Sequence, residues 1–356
     1  MTSTRWLALR PRDTVFVRDG RAFDAAADTT AQAVRPGPST IAGAVGAALG
    51  AEPREVRGPV LGWQIGDEWE TYFPVPANLV IRAGIPTPTV HRLILREASG
   101  RTDLDDLYAE RTGDISQRWL MPPEDAGRVD PLHGWLPGRV LARYLAGDLP
   151  FRGGTPREKL AIEEDPLLPE PRVGLARDDS RQVRTGYLYQ AAHLRAKENW
   201  GFLAQCEFDD GAERQPSGPV QLGGRGRLAD IELAQQAAWP AHPDGAVGRR
   251  VLVYLATPAL WRTGWRIPLE EKGAELVAAA TGEPEPVATV RPGTDWADSR
   301  VLRWAAPAGS VYLLEFGSDE EGAAWAWKVH GTAYAGPDDD DRLRTAGFGV
   351  VLTGAW

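Results

Sequence analysis

Sulfur is almost absent from this chain. One cysteine, Cys206, stands among 356 residues, which excludes an internal disulfide framework and suits a reducing cytosol. No run of about 18 apolar residues occurs, so no membrane span is expected. The start, Met1-Thr2-Ser3-Thr4-Arg5-Trp6, has no apolar block of the kind a signal peptide needs. A basic excess is missing too. The net charge of −9 argues against a free, non-specific nucleic-acid binder, although it leaves room for a local basic groove on an acidic body. Signatures of catalysis are as scarce: there is no Gly-x-Ser-x-Gly, no Walker loop, no histidine pair at helical spacing and no Cys-x-x-Cys. His91, His133, His193, His242 and His330 are scattered. Of these His193, near Tyr187, Tyr189 and Arg195, is the best placed for acid–base work. The acidic run Asp338 to Asp341 has no histidine at ligand spacing and reads as a solvated loop, so neither a metal nor a cofactor is expected.

What is present is tryptophan, turn chemistry and arginine. Fourteen tryptophans suit cores, interfaces or base stacking, and composition does not choose among them. The length suggests two domains, 1–165 and 166–356, with the Pro- and Glu-rich stretch Glu163 to Pro171 as the linker and a polar insertion near 97–133. Segment 5–18 reads as a strand. Ile41, Ala44, Val45, Ala48 and Leu49 recur at helical spacing behind Pro38 and Ser39, where Ser39 is placed to cap the helix. Gly138 to Gly147 and Glu270 to Thr281 read as further helices. Residues 199–208, Arg249 to Thr257, Ser310 to Phe316 and Phe348 to Leu352 read as strands. Helices do not follow every strand, which favours α+β units over a doubly wound sheet.

Three loops are candidates for ligand contact. The first is Phe16-Val17-Arg18-Asp19-Gly20-Arg21-Ala22-Phe23, which precedes the helix start at Ser39 and Thr40. A helix N-terminus beside Arg18 and Arg21 suits a phosphate, although Ser39 as a cap serves equally well. The second is Leu222-Gly223-Gly224-Arg225-Gly226-Arg227. Its glycines let the backbone approach a ligand, and Arg225 and Arg227 can grip phosphate with two donors each. A tight turn with solvated arginines is the plainer reading, and Gly224-x-Gly226-x-x-Ala229 loosely fits a dinucleotide fingerprint that lacks its βαβ context. The third is Gly347-Phe348-Gly349, either a second glycine loop at the same ligand or a strand packed closely on a neighbour.

Together these motifs resemble a family. Residues 16–23 followed by Pro38-Ser39-Thr40-Ile41-Ala42-Gly43-Ala44 resemble the N-terminal signature of the third Cmr subunit of type III-B CRISPR effector complexes, a RAMP protein of the Cas-five-like group. Val173 to Asp178, Thr185 to Tyr189, Leu222 to Arg227, Ala308 to Tyr312 and Gly347 to Gly349 resemble its later landmarks in the same order. The resemblance covers the chain from about residue 5 to its end and is weakest over 97–165. It implies two ferredoxin-like (RRM-type) domains with insertions, in a cytoplasmic, non-catalytic subunit of antiviral defence that binds the 5′ handle of the CRISPR RNA. The implied neighbours are the large polymerase-like subunit and a backbone RAMP subunit of the filament. The expected RNA contacts are Arg18, Arg21, Ser39, Thr40, Gly223, Gly224, Arg225, Gly226, Arg227, Gly347 and Gly349, with Tyr187, Tyr189 and Trp200 as stacking candidates that suit a core as well. The same fold family includes CRISPR RNA-processing endonucleases. Metal-independent cleavage with His193 or a tyrosine as base is therefore the enzymatic alternative.

Overall fold

The computed structural model describes residues 2–18, 33–97, 118–149, 154–209, 214–270, 273–290 and 300–356. It is strand-rich α+β. A seven-stranded sheet runs in the order β10 (Trp135–Pro137), β4 (Glu68–Pro74), β3 (Glu55–Ile65), β14 (Trp200–Phe208), β1 (Ser3–Pro11), β16 (Leu228–Leu233), β15 (Val220–Gln221). A five-stranded sheet runs β18 (Glu275–Ala280), β21 (Val311–Glu315), β17 (Arg250–Leu255), β23 (Val350–Ala355), β22 (Thr332–Ala333). A three-stranded sheet joins β12 (Leu167–Arg177), β13 (Val183–Ala196) and β2 (Thr14–Val15). A four-stranded one joins β11 (Thr155–Pro156), β6 (Thr89–Arg92), β5 (Leu79–Arg82) and β9 (Asp130–Pro131). Two hairpins, β7 (Ile94–Glu97) with β8 (Arg118–Met121) and β19 (Glu285–Val290) with β20 (Arg300–Ala305), complete the described strands.

Each large sheet is organised around a split βαβ unit. β1 and β3 both pair antiparallel with β14, so they run parallel with β14 between them. Helix α1 (Pro38–Leu49) connects the two. In the second sheet β21 and β23 flank β17, both antiparallel to it, and α3 (Asp319–Val329) crosses between them. Alternation in the central strands serves two cores. Phe202, Ala204, Cys206 and Phe208 of β14 pack with Ile41, Val45 and Leu49 of α1. Leu203 points the other way, into a core shared with Leu141, Tyr144 and Leu145 of α2 (Gly138–Leu145) and with Leu252 and Tyr254 of β17. Val251, Val253 and Leu255 face Trp325, Ala326 and Val329 of α3.

Several expectations are corrected. The sheet of β1 and β3 also takes in β14, β15 and β16, which lie beyond residue 166. The chain passes from the seven-stranded to the five-stranded sheet over 234–249. The supposed linker from Glu163 to Pro171 runs into β12, where Pro169 and Pro171 are accommodated because β12 is an edge strand. Residues 275–280 form the edge strand β18, not a helix: the pairing of Ala278–Ala280 with β21 overrides a helix-favouring composition. Ser39 caps nothing. The N-cap of α1 is Gly37, whose carbonyl accepts from Thr40 and Ile41 at 3.0 and 3.2 Å, and Ser39 lies exposed at the second helical position. The helix ends at Gly50 in the left-handed region (φ 63°). Of the insertion near 97–133, residues 98–117 lie outside the described residues.

Candidate nucleic-acid interface

The first two motif loops meet. The Gly224 N–H donates to the Phe16 carbonyl at 2.7 Å, and Phe16 and Gly223 form a parallel bridge. Gly223 is needed there. Its φ is +80°, and a Cβ would stand 2.6 Å from the Phe16 oxygen. The loop closes on itself through Leu222 N–H to Arg227 O, 2.8 Å. Arg225 holds a left-handed φ of 58°, uncommon for a side-chain-bearing residue, and its guanidinium lies over the Phe16 ring, 5.2 Å from the centroid. Beneath Phe16 lies His193, with ring centroids 4.7 Å apart. The His193 Nδ1 is 2.9 Å from Thr14 Oγ1.

Around this stack gather arginines from three segments. Arg172 of β12, Arg195 of β13 and Arg227 of the loop all donate to Asp13, at 3.1, 2.8 and 2.7 Å. Glu170 accepts from Arg172 Nη2 at 2.7 Å and also from Arg195 Nε. Arg172 and then Arg195 hold the Asp13 carboxyl below the usual carboxylate range, and Arg195 and then Arg172 do the same for Glu170. Burial lowers the His193 pKa, and the nearby charges of Arg172, Arg227 and Arg225 lower it further. The arrangement is a partly exposed cationic surface on one edge of an acidic protein, backed by a buried aromatic pair.

The expected site residues divide. Gly223, Gly224, Arg225, Gly226 and Arg227 form the loop. Arg18 is exposed two residues past Phe16 and bridges to Ala33. Ser39 and Thr40 are connected to it through the chain: Val34 N–H, three residues before the N-cap, donates to Val17 O at 2.9 Å. Arg21 lies outside the described residues, as do the side chains of Tyr187 and Tyr189. Gly347 and Gly349 do not join this loop. Gly347 (φ +103°) has room for no Cβ, which would stand 2.6 Å from Val56 O and 2.7 Å from Gly58 O on β3. Gly349 packs against Tyr334 O. Gly347 thus belongs to the seam between the two large sheets, whereas Gly349 packs beside the five-stranded sheet against Tyr334, Trp261 and Ala259, and both follow the close-packing alternative. Trp200 is core, edge-on to Tyr72 at 4.7 Å. His193 is only 2% exposed and lies against the Phe16 ring. Sequence reasoning missed Arg172 and Asp13. Their signal was weak, because nothing in the sequence reveals that β12 pairs with a strand whose next neighbour is β2.

The family described as CRISPR-associated protein (Cas_Cmr3) matches residues 7–356. The chain belongs to the Cas_Cmr3 family. The resemblance read from the motifs thus holds, and with it a place as a subunit of a type III-B CRISPR (Cmr) complex. Among solved structures, this Cas_Cmr3 chain is similar to a chain in a cryo-EM structure of the Type III-B Cmr-beta bound to cognate target RNA and AMPPnP, state 1. The identity is 16%, covering 87% of this chain and 86% of that one, with a TM-score of 0.48. A second, Cmr-beta bound to cognate target RNA, has the same identity and coverage and a TM-score of 0.47. No curated protein matches. Among the described residues, no helix is long and apolar enough to cross a membrane.

Proposed function

We propose that this Cas_Cmr3 chain is the non-catalytic subunit that grips the 5′ handle of the CRISPR RNA and links the large polymerase-like subunit to the first backbone RAMP subunit. The observation that carries the reading is the bond from Gly224 to Phe16, which brings the two loops quoted for the family into one surface. RNA handles are single-stranded, so their phosphates suit arginine forks and exposed loop backbone, and their bases are open to stacking. The acidic total is no obstacle, because the guide would lie between subunits that contribute charge of their own.

Each large sheet is on this reading a ferredoxin-like unit. Reading β1, β3, β14 and β16 as strands one to four, the spatial order is four-one-three-two, and β17, β18, β21 and β23 repeat it. The split βαβ of each supports the assignment, with one crossover helix retained per unit. The unit boundary then lies in 234–249.

The test is the double variant Arg225→Ala with Arg227→Ala in the assembled complex. Each change is expected to cost about 1–3 kcal/mol of handle affinity, read by titrating labelled guide RNA at fixed salt. Unchanged assembly together with unchanged RNA affinity would overturn the reading.

A further inference from the structure

Three guanidiniums share one small carboxylate. Arg172 Nη2 and Arg227 Nη1 both reach Asp13 Oδ2, at 3.1 and 2.7 Å, and Arg195 Nη2 reaches Oδ1 at 2.8 Å. Two of these nitrogens are therefore within about 6 Å of each other. That is the footprint of a single phosphate group, whose oxygens accept from two or three forks at once. The side chains are 27–47% exposed. Ion pairs this wet add little to stability, so the fold does not depend on them and a better acceptor can displace Asp13 cheaply. Glu170, accepting from both Arg172 and Arg195, keeps two of the forks in place when Asp13 releases them. The cluster draws on the β1–β2 turn, β12, β13 and the glycine loop, so two of its three arginines stand on paired strands.

We propose that Arg172, Arg195 and Arg227 form a subsite for one phosphate of the bound strand, and that Asp13 is the positioning residue that gathers them there. This rests on the RNA reading above. It makes a prediction opposite in sign to simple electrostatics. If Asp13 only repelled the strand, its neutralisation would tighten binding to every RNA. As a positioning residue, its loss releases Arg227 from the pair that Glu170 still holds, so handle binding weakens while sequence-independent attraction is kept or strengthened.

The experiment uses the full chain with two single-stranded RNAs of equal length, a 5′-handle sequence and a scrambled one. Asp13→Asn is expected to lower handle affinity about tenfold and to leave scrambled-RNA affinity equal or higher. Asp13→Glu, which keeps the charge, is expected to restore part of the difference. Arg172→Gln and Arg195→Gln are expected to lower handle affinity without touching Asp13, which keeps the test alive should Asp13→Asn fold poorly. Tighter binding of Asp13→Asn to both RNAs by the same factor overturns the proposal. Handle binding that falls in Arg225→Ala but is unmoved in Arg172→Gln and Arg195→Gln also overturns it while leaving the RNA reading intact. Handle binding unmoved in all of these variants removes the RNA reading itself.

Discussion

Gly223 shows how a single residue can tie two distant motifs together. Its positive φ and the 2.6 Å between a built Cβ and the Phe16 oxygen leave no room for a side chain against a backbone that cannot yield. Gly223→Ala is expected to lower stability by about 1–3 kcal/mol, seen as a lower melting temperature, and to weaken handle binding with it. Gly226 has a similar φ of +65° but open space around its Cβ position. Gly226→Ala should therefore cost less, about 1–2 kcal/mol. An equal loss in the two variants would mean that contact with Phe16 contributes nothing. At this scale the sequence was informative about residue type, since a Gly-Gly-Arg-Gly-Arg string has few uses. It was silent about the partner, because Phe16 and Gly223 are about 200 positions apart along the chain.

Elements show where local signals held and where they were overridden. The apolar stripe of α1 and the alternation of β14 were legible because burial imposes their periods directly on the sequence. The stretch before Ala280 reads as helix because alanine and glutamate favour helix, whereas the chain there lies along β21. Capping gives a paired test. Ser318 Oγ accepts the Glu321 N–H at 3.2 Å as the N-cap of α3, and Ser318→Ala is expected to cost about 1 kcal/mol. Ser39→Ala is expected to change stability by less than about 0.5 kcal/mol, because Gly37 holds the cap position of α1. Urea unfolding midpoints of the two variants check this, and equal losses would contradict the cap assignment.

For the whole molecule, the buried imidazoles and the paired carboxylates set the response to acid. Burial pushes His91, His193 and His330 below their ordinary value of 6.5. The His330 Nδ1 accepts the Thr353 N–H at 3.0 Å, and Nε2 lies 2.8 Å from Pro240 O, a pattern only the neutral ring satisfies. The unfolded chain therefore takes up these protons first, so their contribution is complete above pH 6.5 and is lost as pH falls through the lower folded values. Arginine partners hold Asp13, Glu170 and Asp230 below their ordinary range, so their share disappears at still lower pH, beneath 4.5 for Glu170 and 3.8 for the aspartates. Urea midpoints at pH 8, 6 and 4 are expected to fall in that order. A midpoint that rises on acidification would contradict the burial of these rings.

By itself the sequence determined the α+β class, the family, and which short strings carry arginine beside glycine, because periodicity and turn chemistry are local properties. Tertiary structure alone decided that β14 lies between β1 and β3, that Gly347 belongs to a seam between sheets, and that Asp13 meets three arginines. Those facts depend on strand pairing between segments far apart in the chain. Pairing partners are selected by the total burial of both faces of a sheet, a quantity that no single window of residues contains.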